Sequence, residues 1–241
     1  MEIGDNRKEW YDDYYNNYCV SAKPGKIRDT MHNLIEKRNK NLSFSKVLEI
    51  GAHNGEHLEY VSHSWDSYVM IDLDLPDEAT IASFPHGVKF LKADVEKLPF
   101  EDNSFDRVVI TCVLHHLVNP EEALREVRRV LKIDGKIDIL LPNDPGLTYR
   151  MIKYVTSNMS AIKFANNNDN LINIKEIRKI RYSMKLFHIR EHRNHAEQLR
   201  VLIEYTFRTD DLSKRFWPPC FKSWNLGIFT LYGIKKVGLH G

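Results

Sequence analysis

The sequence predicts an α/β protein with a mostly parallel sheet that helices cover on both faces. Five short apolar segments follow one another from residue 46 onward, and stretches long enough for helices separate several of them. The segments are rich in valine, isoleucine and leucine and become polar at their carboxyl ends, which is typical of parallel strands buried on both faces. Ligands bind such sheets at the carboxyl ends of the strands. In order, the five segments are VLEI, YVMI, KFL, RVVITCV and KIDILL.

A helix is predicted before the first strand and two strands after the last segment. Apolar residues at helical spacing between Lys26 and Lys40 predict the helix, and we assign residues 1–45 to an N-terminal helical cap. Residues 46–142 form the predicted core, and residues 143–200 read as an insertion rich in Lys, Arg, His and Asn. In residues 201–241, VLIEYTF and NLGIFTLYGI have strand character and flank Pro218-Pro219. We expect them to add an antiparallel edge, which gives a seven-stranded sheet.

Composition excludes several classes of protein. The 241 residues are 42% hydrophobic and carry a formal charge of only +2, so disorder and a general nucleic-acid coat are both disfavoured. The start of the chain lacks the pattern of a signal peptide, and the longest apolar stretch, 108–118, is far shorter than the roughly 20 residues that cross a bilayer. Three widely spaced cysteines indicate neither disulfides nor a zinc site. We expect a cytoplasmic protein without a membrane span, and its oligomeric state stays open.

A glycine-containing turn follows the first predicted strand. Gly51 and Gly55 flank His53 in this turn, and a helix is expected after it, so that a ligand can approach the backbone closely. A dinucleotide fingerprint would have glycine at positions 51, 53 and 56, but this sequence has His53 and Glu56 at the last two. Binding of NAD or FAD is therefore disfavoured.

The acid and glycines of this turn resemble the first motif of class I S-adenosylmethionine (SAM)-dependent methyltransferases, which have a Rossmann-like fold. Glu49, Gly51 and Gly55 carry the resemblance, which extends in order of elements from about residue 46 to residue 142. It implies SAM as cofactor, S-adenosylhomocysteine (SAH) as product, a ribose contact at the end of the second strand and adenine contacts after the third. The implied cofactor-binding residues are Glu49, Gly51, Ala52, His53, Gly55, Asp72, Asp74, Asp94, Val95 and Thr111.

The segment after the fourth strand and the insertion indicate the acceptor. The sequence TCVLHH at residues 111–116 lacks the motif of enzymes that methylate base amino groups. Between residues 172 and 200, eight basic residues stand against three acidic ones, which favours a small anionic acceptor such as a sugar nucleotide, a phosphate ester or a carboxylate. We take Arg190 and Arg193 as its ligands and expect O-methylation, with a weak resemblance to enzymes of surface-polysaccharide biosynthesis. A solvated helix face explains the same charge equally well.

Histidines are the candidate general bases for a hydroxyl acceptor. His116 lies in the loop after the fourth strand, and His188, His192 and His195 would share one face of a helix. No metal is predicted there because no carboxylate partner is evident, and Asn143-Asp144 reads as the start of a turn. The alternatives are a tRNA or protein methyltransferase and a non-catalytic SAM-binding regulatory subunit.

Overall fold

A sheet of seven strands organises the protein. The computed structural model describes residues 25–152, 154–155 and 192–238. The strands are β1 (Ser43–Ile50), β2 (Ser64–Asp72), β3 (Val88–Lys92), β4 (Phe105–Thr111), β5 (Leu131–Pro142), β6 (Asp211–Trp217) and β7 (Phe229–Lys235).

The order of the strands confirms the predicted fold class. They are arranged β3-β2-β1-β4-β5-β7-β6, and β1 to β5 pair in parallel. Strand β7 pairs antiparallel with both β5 and β6 and so forms the expected C-terminal edge. The helices are α1 (Gly25–Glu36), α2 (Glu78–Ala82), α3 (Pro120–Val130) and α4 (Ala196–Thr206), with 3-10 helices at Glu56–Tyr60 and Leu114–His116. Residues 147–152 and 154–155 are also helical.

Both faces of the sheet are buried, as the apolar strands predict. Successive residues of a strand point to opposite faces of the sheet. On β1, Leu48 and Ile50 belong to the cluster that contains the apolar residues of α3 and α4. Val47 belongs to the opposite cluster, which contains Ile35 of α1. Because helices cover both faces, the loops at the carboxyl ends of the parallel strands lie together at one end of the sheet, and the candidate site is there.

The prediction of a strand at VLIEYTF is wrong, because this segment lies within α4 and its turn. Leu199, Ile203 and Phe207 are buried and recur every four residues, so the helical period outweighs the β-branched composition of the segment. The edge strand β6 begins later, at Asp211, and ends directly before Pro218.

The helix expected after the glycine turn is also absent among the described residues. A five-residue 3-10 helix, Glu56–Tyr60, takes its place. Only residues 56–63 separate Gly55 from β2, whereas a parallel crossover that contains an α-helix needs about a dozen residues or more. This turn therefore offers backbone atoms to a ligand without the dipole of a long helix.

A buried network of charges joins α1 to the sheet. The side chain of Arg107 on β4 contacts Oε1 of Glu36 through Nη2 at 2.7 Å, Oδ2 of Asp138 through Nε at 2.9 Å and Nε2 of His63 through Nη1 at 2.5 Å. Burial raises the pKa of Glu36, but its hydrogen bond with His57 and the charge of Arg107 outweigh burial and lower the pKa to about 2. Glu36 is thus ionised at neutral pH.

Among the described residues, no helix is long and apolar enough to cross a membrane.

Candidate functional site

The glycine turn follows β1 at the carboxyl edge of the sheet. Gly51 and Gly55 have φ values of 71° and 78°, a region that favours glycine. A Cβ atom at Gly51 would overlap the side chain of Val113, and one at Gly55 would lie 2.5 Å from Cζ of Phe84. The turn therefore requires glycine at both positions for steric as well as conformational reasons.

Asp72, the last residue of β2, fixes this turn. Its Oδ2 accepts the backbone N–H of His53 at 2.9 Å, and its Oδ1 accepts that of Leu73 at 2.7 Å. His53 has a φ of 48°, which few residues with side chains adopt, and its Nδ1 lies 3.0 Å from Oε1 of Glu56. The Asp72 carboxylate is therefore both positioned by the backbone and partly exposed at the end of the strand.

Glu49 is buried two residues before Gly51. Its Oε2 accepts the hydroxyl proton of Tyr68 at 2.9 Å, and burial raises the pKa of the Glu49 carboxyl group. Ala52, next to the first glycine, is buried as well. These contacts anchor the end of β1 from inside the protein.

The loop after β3 is tied to the start of α3. Asp94 Oδ1 accepts the backbone N–H of Glu96 at 2.9 Å. The Glu96 carboxylate in turn accepts the backbone N–H groups of Val118 and Asn119, at 3.1 and 2.7 Å. Val95 between them is buried, whereas Asp94 is exposed at the ligand edge of the sheet.

The end of β4 closes over the glycine turn. Thr111 is its last residue, and the buried Oγ1 of Thr111 has no hydrogen-bond partner among the described residues. Cys112 follows with a φ of 57°, and burial raises the pKa of its thiol to about 12. The unpaired hydroxyl and the strained backbone both mark the point where Val113 meets Gly51.

Three histidines cluster directly after this point. His115 and His116 come from the loop after β4, and His192 comes from the segment before α4. Each offers a ring nitrogen, and these atoms lie within 4.8 Å of one another. Asp144, just after β5, contacts Nδ1 of His192 through Oδ2 at 2.8 Å. We call His115, His116 and His192 the histidine cluster.

Comparison with known proteins identifies the domain that carries this geometry. A family model described as a methyltransferase domain matches residues 48–139. That range contains the glycine turn, Asp72, Asp94 and the loop after β4. Residues 48–139 therefore form a methyltransferase domain with the Rossmann-like fold of class I SAM-dependent methyltransferases. SAM is accordingly the cofactor of this enzyme, and it supplies a methyl group on a sulfonium.

Relatives of this methyltransferase share different lengths of chain. The uncharacterized protein MJ1252 of Methanocaldococcus jannaschii is 27% identical over 234 residues, which are 95% of this chain and 90% of that protein. The ubiquinone/menaquinone biosynthesis C-methyltransferase UbiE of Ectopseudomonas mendocina is 48% identical over 59 residues, which are 24% of this chain. The chain spans only 23% of the length of UbiE, and 44% of the methyltransferase YcgJ of Bacillus subtilis.

Solved structures share the fold of the whole methyltransferase. One is a chain from the complex between the Haloferax volcanii Trm112 methyltransferase activator and a methyltransferase, with a TM-score of 0.62 and 12% identity. The match covers 93% of this chain and 98% of that chain. Another is the plantazolicin methyltransferase BpumL with a substrate analogue and SAH, with a TM-score of 0.62 and 14% identity. This match covers 95% of this chain and 93% of that chain. At these identities the likeness concerns the fold.

The residues of the glycine turn fit SAM. A Cβ at Gly51 would fill the space beside Val113, the Asp72 carboxylate stands at the strand end where a ribose contact is predicted, and the Thr111 hydroxyl is unpaired among described residues. Contacts of the individual residues with SAM stay predictions. Asp74 is the weaker candidate, because its side chain is 88% exposed and lies 3.8 Å from Nζ of Lys92.

Asp72→Ala is expected to weaken the binding of SAH by about tenfold or more, because hydrogen bonds to charged groups are worth roughly 1.5–3 kcal/mol. Asp74→Ala serves as the matched control and should bind SAH nearly as well as the wild type, since its carboxylate extends into solvent. Isothermal titration calorimetry on both variants checks this order. A greater loss in Asp74→Ala would move the ribose contact to that residue.

The structure corrects the arrangement of the candidate histidines. His192 lies outside any described helix and His195 is the N-cap residue of α4, so these two do not share a helix face. His192 instead meets His115 and His116, with ring centroids 4.2 and 5.1 Å away. His188 lies outside the described residues.

Within the basic insertion, the structure describes residues 143–152, 154–155 and 192–200. Arg190 lies outside the described residues, whereas Arg193 is exposed and donates its backbone N–H to the His115 carbonyl at 2.9 Å. Arg200 is paired with Glu197 and Glu204 on α4, which supports a solvated helix face for that residue.

Sequence reasoning missed two members of the candidate site. His115 was passed over beside His116, and Asp144 was assigned to a turn. The turn exists, since the Gly146 N–H reaches the Asn143 carbonyl at 2.5 Å, but Asp144 also contacts His192. The adjacent histidines and the acid at the end of β5 were the available signals.

Proposed function

We propose that this methyltransferase transfers the methyl group of SAM to an oxygen atom of a small anionic acceptor, such as a sugar nucleotide, a phosphate ester or a carboxylate. The position of the histidine cluster carries the proposal. Val113 packs on Gly51 in the cofactor turn, and His115 and His116 follow in the same loop. The cluster thus borders the part of the cofactor site where the acceptor has to enter.

The chemistry requires alignment more than it requires reactive side chains. In-line displacement needs the acceptor oxygen next to the methyl group and opposite the sulfur. The Gly51 turn and Asp72 hold the cofactor side, and the loop of His115 and His116 borders the acceptor side. A hydroxyl acceptor must also lose its proton, and the histidine cluster supplies side chains that can promote that loss.

Arg193 supports an anionic acceptor. Its backbone is hydrogen-bonded to His115, and its exposed side chain therefore starts beside the histidine cluster. A guanidinium group binds phosphate and carboxylate through paired hydrogen bonds. Arg190, which we also keep as a predicted acceptor ligand, precedes it by three positions.

Arg193→Glu is expected to raise the KM of the acceptor about tenfold at low salt, with an unchanged dissociation constant for SAM, because charge reversal removes one contact and adds repulsion. The effect should shrink as salt is added. Arg208→Glu is the matched control, since Arg208 is equally exposed but lies beyond the far end of α4. If Arg193→Glu leaves the KM of the acceptor unchanged at low ionic strength, Arg193 is a solvated surface residue and not a ligand of the acceptor.

The test of the proposed function is SAH release from SAM with a panel of acceptors. The panel contains sugar nucleotides, phosphate esters and small carboxylates, together with a quinol, tRNA and a protein extract. We expect turnover with an anionic small molecule and a methyl ether or ester as product. Turnover restricted to tRNA or protein would support those alternatives, and intact SAH binding without any turnover would support a regulatory SAM-binding subunit.

C-methylation is the second candidate function. The similarity to UbiE, named as a C-methyltransferase of ubiquinone/menaquinone biosynthesis, favours it, although the match covers 59 residues. A carbon-methylated quinol in the panel would select it. The expected cytoplasmic location and a place in surface-polysaccharide biosynthesis stay predictions.

A further inference from the structure

We propose that His115, His116 and His192 bind a divalent transition-metal ion such as Zn²⁺. The proposal rests on the proposed function in one respect, namely that the cluster faces the acceptor. Three ring nitrogens, one from each residue, lie within 4.8 Å of one another. Around a tetrahedral Zn²⁺ with Zn–N distances of 2.0–2.1 Å, ligand nitrogens are separated by roughly 3.3 Å. The proposal requires the three rings to turn until their nitrogens reach that spacing.

Asp144 gives His192 the environment of a metal ligand. Its Oδ2 lies 2.8 Å from Nδ1 of His192, and because an ionised carboxylate only accepts hydrogen bonds, the Nδ1–H group is the donor and Asp144 is the acceptor. The lone pair of His192 is then on Nε2. Histidines that bind metals in proteins commonly donate their other ring N–H to a carboxylate, which fixes the tautomer and the direction of the ring.

Backbone hydrogen bonds hold the two segments of the cluster together. The carbonyl of His115 accepts the N–H groups of Arg193 and Asn194, at 2.9 and 3.2 Å. The Asn194 side chain donates to the carbonyls of Leu114 and Leu117, at 3.3 and 2.8 Å. Further along, the Ala196 N–H reaches the Asp144 carbonyl at 3.0 Å. Residues 114–117, 144 and 192–196 thus form one connected structure that holds all three imidazoles.

The donor set selects the class of metal. Imidazole nitrogens suit Zn²⁺, Co²⁺, Ni²⁺ and Cu²⁺, whereas Mg²⁺ and Ca²⁺ prefer oxygen ligands. Three protein ligands leave a position open, as in catalytic rather than structural zinc sites. A cation in that place would attract an anionic acceptor, as Arg193 would, and would help a bound hydroxyl to release its proton to water.

Metal binding to the full-length chain without a histidine tag tests the proposal. The protein is first stripped with a chelator and then titrated with Zn²⁺, Co²⁺ and Mg²⁺ by calorimetry and equilibrium dialysis. We expect one Zn²⁺ or Co²⁺ per chain, no comparable binding of Mg²⁺, and a visible Co²⁺ spectrum of the intensity that four-coordinate sites give. Failure to retain stoichiometric Zn²⁺ or Co²⁺, or equal binding of Mg²⁺, would overturn it.

Variants locate the site. His116→Ala and His192→Ala should lose the Co²⁺ spectrum, and Asp144→Asn should weaken Zn²⁺ binding by about 10–100-fold. His86→Ala is the control, because His86 is exposed before β3, at the opposite edge of the sheet, and should keep native affinity. SAH binding by each variant confirms that it is folded. Unchanged metal affinity in His116→Ala and His192→Ala would assign the metal to other residues and contradict the proposal.

The metal titration and the acceptor panel test separate claims, so that either claim can be wrong while the other holds. If the protein binds no metal but methylates an anionic acceptor, only the metal inference is wrong. If it binds one Zn²⁺ through the cluster but methylates only a neutral quinol, the metal site stands and the proposed acceptor is wrong.

Discussion

Arg107→Met is expected to lower the free energy of unfolding by about 3–5 kcal/mol, because it leaves two buried carboxylates, those of Glu36 and Asp138, without their guanidinium partner. The Arg107 side chain is 0% exposed and contacts the carboxylates of Glu36 and Asp138. The low pKa of Glu36 means that this carboxylate stays charged at neutral pH in the wild type. Urea denaturation of the wild type and the variant measures the difference.

Arg125→Met is the matched control for this substitution. Arg125 also pairs with two carboxylates, those of Glu121 and Glu122, but its side chain is 61% exposed on α3. Exposed pairs of this kind contribute at most about 0.5 kcal/mol. If Arg107→Met does not fold, Arg107→Lys keeps the charge without the planar fork and should show an intermediate loss. Equal stability of Arg107→Met and Arg125→Met would contradict the structural role of the network.

If the acceptor is a hydroxyl, His116→Ala and His192→Ala are expected to lower kcat by about 10²–10⁴-fold, the usual contribution of groups that assist proton removal. Both residues belong to the histidine cluster, and the loop of His116 borders the cofactor turn through Val113. SAH affinity should stay at the wild-type value, because neither residue is a predicted cofactor ligand. SAH release with the acceptor found in the panel, together with calorimetry, measures the two quantities.

His195→Ala separates the sequence-based and structural assignments of these histidines. The sequence groups His195 with His192, whereas the structure places it at the N-cap of α4 and outside the cluster. We therefore expect His195→Ala to keep kcat within a few-fold of the wild type. With a hydroxyl acceptor, near-native turnover in His116→Ala and His192→Ala, or a large loss in His195→Ala, would contradict the structural assignment. With an acceptor oxygen that is already ionised, near-native turnover is the expected result.

The fold and the cofactor turn could be predicted because their signals are local. Each parallel strand is a continuous apolar run, and Gly51 and Gly55 stand at fixed positions after one of them. The helical content of α4 was missed because its buried residues, from Leu199 to Phe207, begin before the β-branched run that suggested a strand. The α-helix predicted after the glycine turn is absent among the described residues because only residues 56–63 lie between Gly55 and β2. The resemblance to the motif gives no information about the length of this segment.

The histidine cluster and the charge network could not be predicted because their members are distant in sequence. His116 follows β4 and His192 precedes α4, yet their ring centroids lie 5.1 Å apart. Arg107 stands at the start of an apolar run, which hints at a buried charge, but nothing local points to Glu36 on α1 as its partner. Such pairs depend on how the helices pack on the sheet.

Binding of SAH compared with NAD tests the central claim, that the turn at Gly51 is a SAM site. We expect SAH to bind to one site per chain, and saturation at a hundred times its dissociation constant to add about 2.7 kcal/mol of stability, visible as a higher Tm. NAD should give no shift, and Gly51→Val should lose the SAH response, because a side chain there overlaps Val113. No heat and no shift with SAH, or an equal response to NAD, would contradict the account.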